Sequence, residues 1–516
     1  MTSIDTTPPR GTTLRELARV LGAVGITGDP GVVVTGVRQD SRHVEAGELF
    51  AIRGGAKTNG WNYVGDAIAR GAAAVMAESA GPGAAVDVPM ILVADVRDSI
   101  ARAAHYVYGD PTRALRVVGI TGTNGKTTTS TLVFRALQAS GHRPGLMGTL
   151  AYRFEDFELE APHTTPEADE IARVAKTMVD RGASHLVMEV SSHALAQKRA
   201  AGLHVEVAAF TNLTQDHIDF HGSMEAYGEA KARLFFDFAP AASVVNVDDP
   251  FGRVLADRIA KARGAAALCT VSSQVGARAD VAPLELELGS KQTRMLVCTR
   301  AGEVAVQTSL IGAHNVANVL LCLGVSASLG LDLKRVAASL ADVVVPGRLE
   351  RCDGPDDDVA VVVDYAHTPD ALDRVLGALD ALRKQTGVST RRLICVFGCG
   401  GDRDPTKRAP MGRAVAKWAD VAVVTTDNAR SEDPAAIAQA ILPGLEGAAG
   451  VVVELDRARA IADAIAQARS GDVVLIAGKG HETYQIVGNV SRHFDDREEA
   501  RTALAARRTK RTGGGG

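Results

Sequence analysis

Short runs of apolar residues alternate along the chain with longer stretches in which apolar positions recur every three or four residues. Continuous apolar runs predict strands buried on both faces, and the periodic stretches predict helices that cover them. This is the pattern of an α/β protein with mostly parallel sheets. Three blocks follow from it. In the first, residues 1–112, the strand-like runs are 31–36, 49–52, 73–76 and 90–93, and Gly109-Asp-Pro111 marks the exit. In the second, residues 113–345, they are 117–120, 185–189, 207–211 and 243–247. The Val/Thr-rich stretch 271–306 predicts an antiparallel edge of this block, which closes at the turn Val345-Pro-Gly347. The third block, residues 346–505, repeats the alternation at 359–363, 393–397, 421–425 and 473–477. The last residues, 506–516, combine Arg507-Arg-Thr-Lys-Arg511 with terminal glycines and predict a disordered, solvated tail.

A length of 516 residues fits about three domains. A net charge of −4 gives no global field for nucleic acid, so no nucleic-acid partner is expected. The cysteines at 269, 298, 322, 352, 395 and 399 form no CxxC pair, which argues against structural zinc and suits a reducing cytoplasm. No apolar run approaches the roughly 20 residues of a membrane span. The start of the chain, with Asp5, Pro8 and Pro9, lacks the apolar core of a signal peptide.

The strongest chemical signal is Val117-Val-Gly-Ile-Thr-Gly-Thr-Asn-Gly-Lys-Thr-Thr128. A buried strand breaks into Gly122, Thr123, Asn124 and Gly125, and Lys126, Thr127 and Thr128 open a helix running to about Ala139. Such a turn lets backbone N–H groups crowd a phosphate; the lysine adds a charge and the threonine offers a hydroxyl to Mg²⁺. Ile120 stands where the usual pattern has glycine, so the loop is a variant.

Other polar residues gather after strands, where open α/β sheets carry their sites. Glu189 follows an apolar run and could hold Mg²⁺ or close a salt bridge. Asp216 and His217 follow the next run. The segment 223–238 reads as a helix in which Lys231 shares the apolar face of Tyr227 and Phe235. Its stem could snorkel, the common outcome, or its amine could be neutral and carry CO₂ as a carbamate. Asn315 and Asn318 share a face at another helix start, where amides recognise a base or cap the helix. In the third block, Asp364-Tyr-Ala-His-Thr-Pro369, Gly398-Cys-Gly-Gly-Asp-Arg403, Asp427-Asn-Ala-Arg430 and Gly478-Lys-Gly-His-Glu482 all follow strands. Arg403 and Arg430 suit carboxylates, and Glu482 suits an ammonium group.

These four loops, with Asp40-Ser-Arg42, Gly122-Thr-Asn-Gly-Lys-Thr127, Thr164-Thr-Pro166, Met188-Glu-Val-Ser-Ser-His193, Asn212-Leu-x-x-Asp-His217 and Pro346-Gly-Arg348, resemble the Mur ligase family in identity and order. The resemblance spans nearly the whole chain except its ends. It implies three domains: one binding a UDP-linked substrate, a central ATPase and a C-terminal Rossmann-like domain. Within the family the chain resembles the members that add meso-diaminopimelate to UDP-MurNAc-L-Ala-D-Glu, using ATP and Mg²⁺, in cytoplasmic peptidoglycan precursor synthesis. The resemblance assigns Ser41 to the UDP end of that substrate, and Thr164, Thr165, Ser191, Gln197 and Arg199 to its muramyl-dipeptide part. It assigns residues 122–128, Asn315 and Arg348 to ATP. Thr127, Glu189 and His217 would lie at the metal, with Lys231 as the family's carbamylated lysine. Lys126, Glu189, His217 and Lys231 form the implied catalytic set. Arg403, Asp427, Asn428, Ala429, Arg430, Gly478 and Glu482 would hold the incoming amino acid, and a monomer is expected.

Two positions depart from the family pattern. His163 replaces the usual asparagine before the Thr164-Thr165 pair, and Ala429 replaces proline in the amino-acid loop. Arg430 survives, and family members that add lysine typically lack it. It suits diaminopimelate, whose distal end carries a carboxylate that lysine lacks. A folylpolyglutamate synthase-like ligase shares the phosphate loop, but Asp40-Ser-Arg42 and the full first block argue against it. The D-alanyl-D-alanine-adding ligases are nearer rivals, and Asp427-Asn-Ala-Arg430 argues against them. A nucleotide-binding module without ligase activity would have no need of Lys126, Glu189, His217 and Lys231 together.

Overall fold

The computed structural model describes residues 11–54, 59–81, 86–289, 292–385 and 391–513. Its architecture is α/β, with three large, mostly parallel sheets in succession, each covered by helices, and smaller antiparallel sheets beside them.

The first sheet runs, edge to edge, through Gly25–Thr27, Met90–Leu92, Ala74–Ala77, Leu49–Ala51 and Val37–Arg38. Helix Leu14–Leu21 starts at a capping box, in which Thr13 and Glu16 satisfy each other's backbone N–H. Helix Val96–Val107 covers the same core. Ala168 and Ala172 join that core from helix Ala168–Asp180, which also covers the second sheet.

The second sheet carries the phosphate loop. Its strands lie in the order Phe157–Leu159, Tyr152–Phe154, Pro144–Met147, His185–Glu189, Arg116–Thr121, Val205–Phe210, Ala242–Asn246 and Leu268–Val271. From Pro144–Met147 to Leu268–Val271 all neighbours are parallel. Alternate residues point to opposite faces, and both faces are buried. Val118, Ile120, Val187 and Ala209 meet helices Lys126–Ala139 and Ala313–Ser328. Val117, Leu186, Met188 and Ala208 meet Ile171, Leu234 and Leu255 on the other side. That double burial is why these strands read as unbroken apolar runs.

The stretch 271–306 corrects one expectation. It is antiparallel, as expected, but forms its own sheet from Ala282–Leu288, Thr293–Thr299 and Gly302–Thr308. Among the described residues it meets the main sheet through a bridge between Val271 and Val281. Met295, Val297, Val304 and Val306 bury one face against the core of helix Ala313–Ser328, while the other face stays open. This half-burial produces the polar alternation in the sequence.

The third sheet runs Glu350–Arg351, Ala360–Asp364, Val473–Ala477, Leu393–Phe397, Val421–Val424 and Val451–Val453. Leu372, Leu376 and Met411 pack on one face, and Ile461, Ile465 and Leu504 on the other.

The end of the chain also departs from expectation. Residues 506–513, expected to be disordered, belong to helix Asp496–Gly513. Arg507 donates to Asp358 at 2.8 and 2.9 Å and to the carbonyls of Ile465 and Ala468. Arg508 pairs with Asp357 at 2.7 Å and Arg511 with Asp358 at 3.0 Å. The basic run is the counterpart of an acidic turn about 150 residues earlier, a pairing that local sequence does not announce. Residues 514–516 lie outside the described set. No helix among the described residues is long and apolar enough to cross a membrane.

Candidate active site

Parallel register brings the functional loops to one edge of the second sheet. Glu189 pairs with Ile120, and Phe210 with Thr121, so all three strands release their loops at the same level. Ile120 is still a sheet residue, its carbonyl accepting from Val190 N at 2.8 Å, so the turn proper begins at Gly122.

Gly122 has φ 146°, and a Cβ there would lie 1.8 Å from Thr211 Oγ1. Gly125 has φ 89°, and its Cβ would lie 2.4 Å from Asn318 Oδ1. Both positions therefore exclude a side chain. Thr211 and Asn212 clamp the turn: Thr123 N donates to Asn212 O at 2.8 Å, Asn124 N to Asn212 Oδ1 at 3.0 Å, and Thr211 Oγ1 to Asn124 O at 2.6 Å. Lys126 folds back, donating to Gly122 O and Thr123 O at 2.9 Å each. Burial holds its pKa below the usual lysine value, and Glu189 and Asp216 partly counter that shift.

Glu189 is buried and central. It accepts from Thr127 Oγ1 at 3.1 Å, Thr149 N at 2.9 Å and Thr149 Oγ1 at 3.0 Å. His217 lies beside Asp216, with Nε2 3.4 Å from Oδ2, and burial holds its pKa below the usual value. Burial alone would raise Asp216, but His217, His367, Lys407 and Lys126 together lower it. The helix carrying Lys231 spans Met224–Phe236, capped by Ser223. Lys231 is 1% exposed, with Nζ 4.2 Å from the centre of the Tyr227 ring. Burial first, then Lys126, push its pKa well below the usual lysine value. Its chain does not snorkel to water.

Thr123 to Thr128, Glu189, His217, Asn315 and Arg348 line one cavity of about 330 Å³. Asn315 does not cap its helix, whose N-cap is Gly312. It donates to Ile311 O at 2.9 Å and accepts from Asn318 at 3.0 Å. The third sheet reaches the same cavity. Arg348 stacks over Tyr365 at 4.3 Å and donates to Thr127 Oγ1 at 3.2 Å. Asn124 Nδ2 donates to Asp370 Oδ2 at 3.0 Å.

On the other flank, Thr164 and Thr165 are tied to the same carboxylate strand. Thr164 Oγ1 lies within hydrogen-bond distance of Thr149 Oγ1, at 3.1 Å, and Thr165 Oγ1 donates to Glu189 O at 2.9 Å. Ser191 N donates to Thr165 Oγ1 at 3.0 Å, and its hydroxyl caps helix Ser192–Ala196. Gln197 ends that short helix, half-buried. Arg199 pairs with Glu167 at 3.1 Å, and Glu167 also holds Arg53 and Gln39 of the first sheet, each at 3.1 Å. Ser41 lies two residues beyond Gln39, buried in the turn Ser41–His43. At His163 the backbone is used: its carbonyl accepts from Tyr152 Oη at 2.6 Å.

The loops assigned by resemblance to the incoming amino acid follow three adjacent parallel strands, Val473–Ala477, Leu393–Phe397 and Val421–Val424. Asp427, Asn428 and Ala429 are buried. Asn428 Nδ2 donates to Glu482 Oε2 at 2.8 Å. Arg430, with φ 52°, donates to Gly401 O at 2.8 Å. Gly478 leaves room for Asp427, since a Cβ there would sit 3.0 Å from Oδ2. Arg403 stands at the rim, exposed, donating to Asp402 O at 3.1 Å.

Sequence reasoning gave no role to Thr149, Glu167 or Lys479. Thr149 follows the strand end Pro144–Met147, and that position was its available signal. Lys479 lies inside the Gly478–Glu482 loop. Nothing local marks Glu167, whose partners are more than 30 residues away.

Three family models match in sequence order: "Mur ligase family, catalytic domain" over residues 33–108, "Mur ligase middle domain" over 120–326, and "Mur ligase, glutamate ligase domain" over 347–480. A UDP-N-acetylmuramoyl-L-alanyl-D-glutamate–2,6-diaminopimelate ligase of Gloeobacter violaceus is 46% identical over 483 residues, covering 93% of this chain and 96% of the relative. A ligase of the same name from Geobacillus kaustophilus is 42% identical over 489 residues, covering 93% and 96%. A solved structure with that enzyme name superposes with a TM-score of 0.67 at 33% identity, covering 96% of this chain and 99% of its own. By sequence, by order of domains and by fold, the chain belongs to the Mur ligase family.

Proposed function

We infer that this protein is an ATP-dependent amide ligase joining meso-diaminopimelate to the D-glutamate γ-carboxylate of UDP-MurNAc-L-Ala-D-Glu, a cytoplasmic step of peptidoglycan precursor synthesis. The observation that carries this reading is the meeting of two sheet edges in one cavity, bridged by Arg348 and Thr127 at 3.2 Å. A phosphate loop alone binds nucleotide. A phosphate loop facing an acceptor pocket can pass an activated acyl group to an amine. The working units are taken as residues 1–112, 113–345 and 346–513, the last extended beyond 505 by the C-terminal helix.

The γ-carboxylate oxygen attacks the γ-phosphorus of ATP, and ADP leaves. The amine nitrogen then attacks the acyl carbon of the acyl phosphate, and phosphate leaves as the amide forms. Lys126, Arg348 and the N–H groups of residues 122–128 offset the charge on the phosphoryl group in flight. Thr164, Thr165, Ser191, Gln197 and Arg199 hold the dipeptide part, and Ser41 the UDP end. Asn315 completes the nucleotide site.

The donors around Glu189 suit Mg²⁺. Among the described residues no three of His, Cys, Asp and Glu converge as a self-sufficient metal site. Magnesium in nucleotide sites takes one or two carboxylates and fills its shell with phosphate oxygens and water. Thr127, Glu189, His217 and Lys231 as a carbamate would hold it, and it would neutralise charge on the phosphates. Lys231 supports this reading because burial favours its neutral amine, the form that can add to CO₂ and lose a proton to give the carbamate.

His367 is proposed to accept a hydrogen bond in this cavity rather than to act as the base. Its Nδ1 lies 2.9 Å from Tyr365 O, which can only accept, so the neutral ring carries its proton there and leaves Nε2 as acceptor. Burial keeps that ring neutral, with a pKa lowered to about 4. The test is the mass of the product. Incubation with the UDP-dipeptide, Mg-ATP and diaminopimelate should add the mass of diaminopimelate less one water. An unchanged UDP-dipeptide alongside active control enzyme would sink the reading.

A further inference from the structure

The amino-acid pocket already contains a cation of its own. Lys479 is completely buried, yet its Nζ lies 3.1 Å from Asn428 Oδ1, 3.4 Å from Glu482 Oε2 and 3.5 Å from Asp427 Oδ1. These are three of the groups assigned to the incoming amino acid. Behind them Arg457, also fully buried, donates to both oxygens of Asp496 at 2.7 Å and to Ala477 O at 2.9 Å.

The charges can be weighed. Asp427, Glu482 and Asp496 face Lys479 and Arg457. The Arg457–Asp496 pair neutralises itself, leaving two carboxylates and one ammonium, a residual charge of about −1 when all are ionised. Diaminopimelate brings to this end of the site one ammonium and one carboxylate, and Arg430 stands nearby for the carboxylate. A residual single negative charge matches the single ammonium.

We propose that Lys479 is a positioning residue that sets the specificity of this pocket. Its ammonium ties one oxygen of Asp427 and one of Glu482 to the Asn428 amide. That fixes their spacing, leaves the other oxygen of each for the ligand, and limits the pocket to one further positive charge. Without it, two buried carboxylates would face each other unpaired, and each would push the other towards protonation. The same carboxylates could then neutralise themselves with a proton instead of the ligand. The role rests on the substrate reading above.

The test is Lys479→Gln, which keeps a donor for Asn428 Oδ1 and removes the charge, measured in the full-length protein for all three substrates. The expected result is a rise in KM for diaminopimelate of about tenfold or more, with KM for ATP and for the UDP-dipeptide unchanged. A diaminopimelate KM within about twofold of native, or an equal rise for all three substrates, would overturn the role. Should the variant not fold, the native enzyme supplies the second measurement. 2-Aminopimelate keeps the distal carboxylate and lacks the distal ammonium, so it should be used at least about tenfold less well than diaminopimelate. Equal use of the two overturns the charge match. Native enzyme run in parallel separates the two claims: no diaminopimelate-dependent turnover there sinks the substrate reading and the inference with it. Normal native turnover beside an unaffected variant sinks the inference alone.

Discussion

Arg348 Nη2 donates to Thr127 Oγ1 at 3.2 Å, so a guanidinium from the third sheet touches the hydroxyl that opens the phosphate-loop helix. Its Cζ lies over the Tyr365 ring, 4.3 Å from the centre, a second contact that holds the side chain in place. Arg348→Ala should raise KM for ATP by about tenfold or more, with a smaller effect on diaminopimelate. Arg348→Lys should recover little, because an ammonium neither stacks as a plane nor offers the fork. Initial rates at varied ATP decide this. Full activity in the lysine variant would show that charge alone suffices.

Lys231 is buried against Tyr227 with a pKa pushed well below the usual value. If it works as a carbamate, Lys231→Ala removes an anion rather than a cation. Activity should fall by at least about a hundredfold and be partly restored by millimolar acetate or propionate, whose carboxylate fits the space left. Restoration by methylamine and not by a carboxylate would mean that the free amine is the working form.

Arg430 holds a left-handed backbone, with φ 52°, and its guanidinium reaches Gly401 O. Asparagine tolerates that conformation, so Arg430→Asn removes the charge with little strain. Selectivity for diaminopimelate over L-lysine should fall by about ten- to a hundredfold, through a higher KM for diaminopimelate. Competition between the two amines, read by product mass, measures the ratio. An unchanged ratio would place discrimination elsewhere in the pocket.

His185 lies at the start of its strand, far along the sheet from Glu189, and burial first, then His142 and Arg116, lower its pKa from 6.5 to about 4. Between those two values the unfolded chain binds a proton that the folded chain refuses. Stability therefore rises with pH across the window, and is lost as pH falls from 6.5 towards 4. From pH 7 to pH 5 this one group should cost on the order of 1 kcal/mol. Urea midpoints of native protein and His185→Asn at both pH values check this, and the variant should lose less. An equal loss in both would remove His185 from the acid response.

The parallel strands of the second sheet were legible because both faces are buried. Val117, Val118 and Ile120 leave no polar residue to break the run. The phosphate loop was legible because its constraint is local: glycine where φ is positive, then lysine and threonine at a helix start. Lys231 was conspicuous as a charge on an apolar face, but the sequence could not say whether its amine reached water. The less legible parts depend on distant partners. Glu167 acquires its meaning from Arg53 and Arg199, and the C-terminal arginines from Asp357 and Asp358. A basic run with an unseen acidic partner reads as a solvated tail. Arg403 shows the reverse case, a residue placed by motif that stands exposed at the rim.

The most direct measurement is ADP release by the purified protein with UDP-MurNAc-L-Ala-D-Glu and Mg-ATP, comparing meso-diaminopimelate with L-lysine. Release that depends on the UDP-dipeptide and on diaminopimelate, with lysine at background, is the expected result. Release with lysine preferred would contradict the role given to the Arg430 loop, and no amine-dependent release with either would contradict the ligase reading itself.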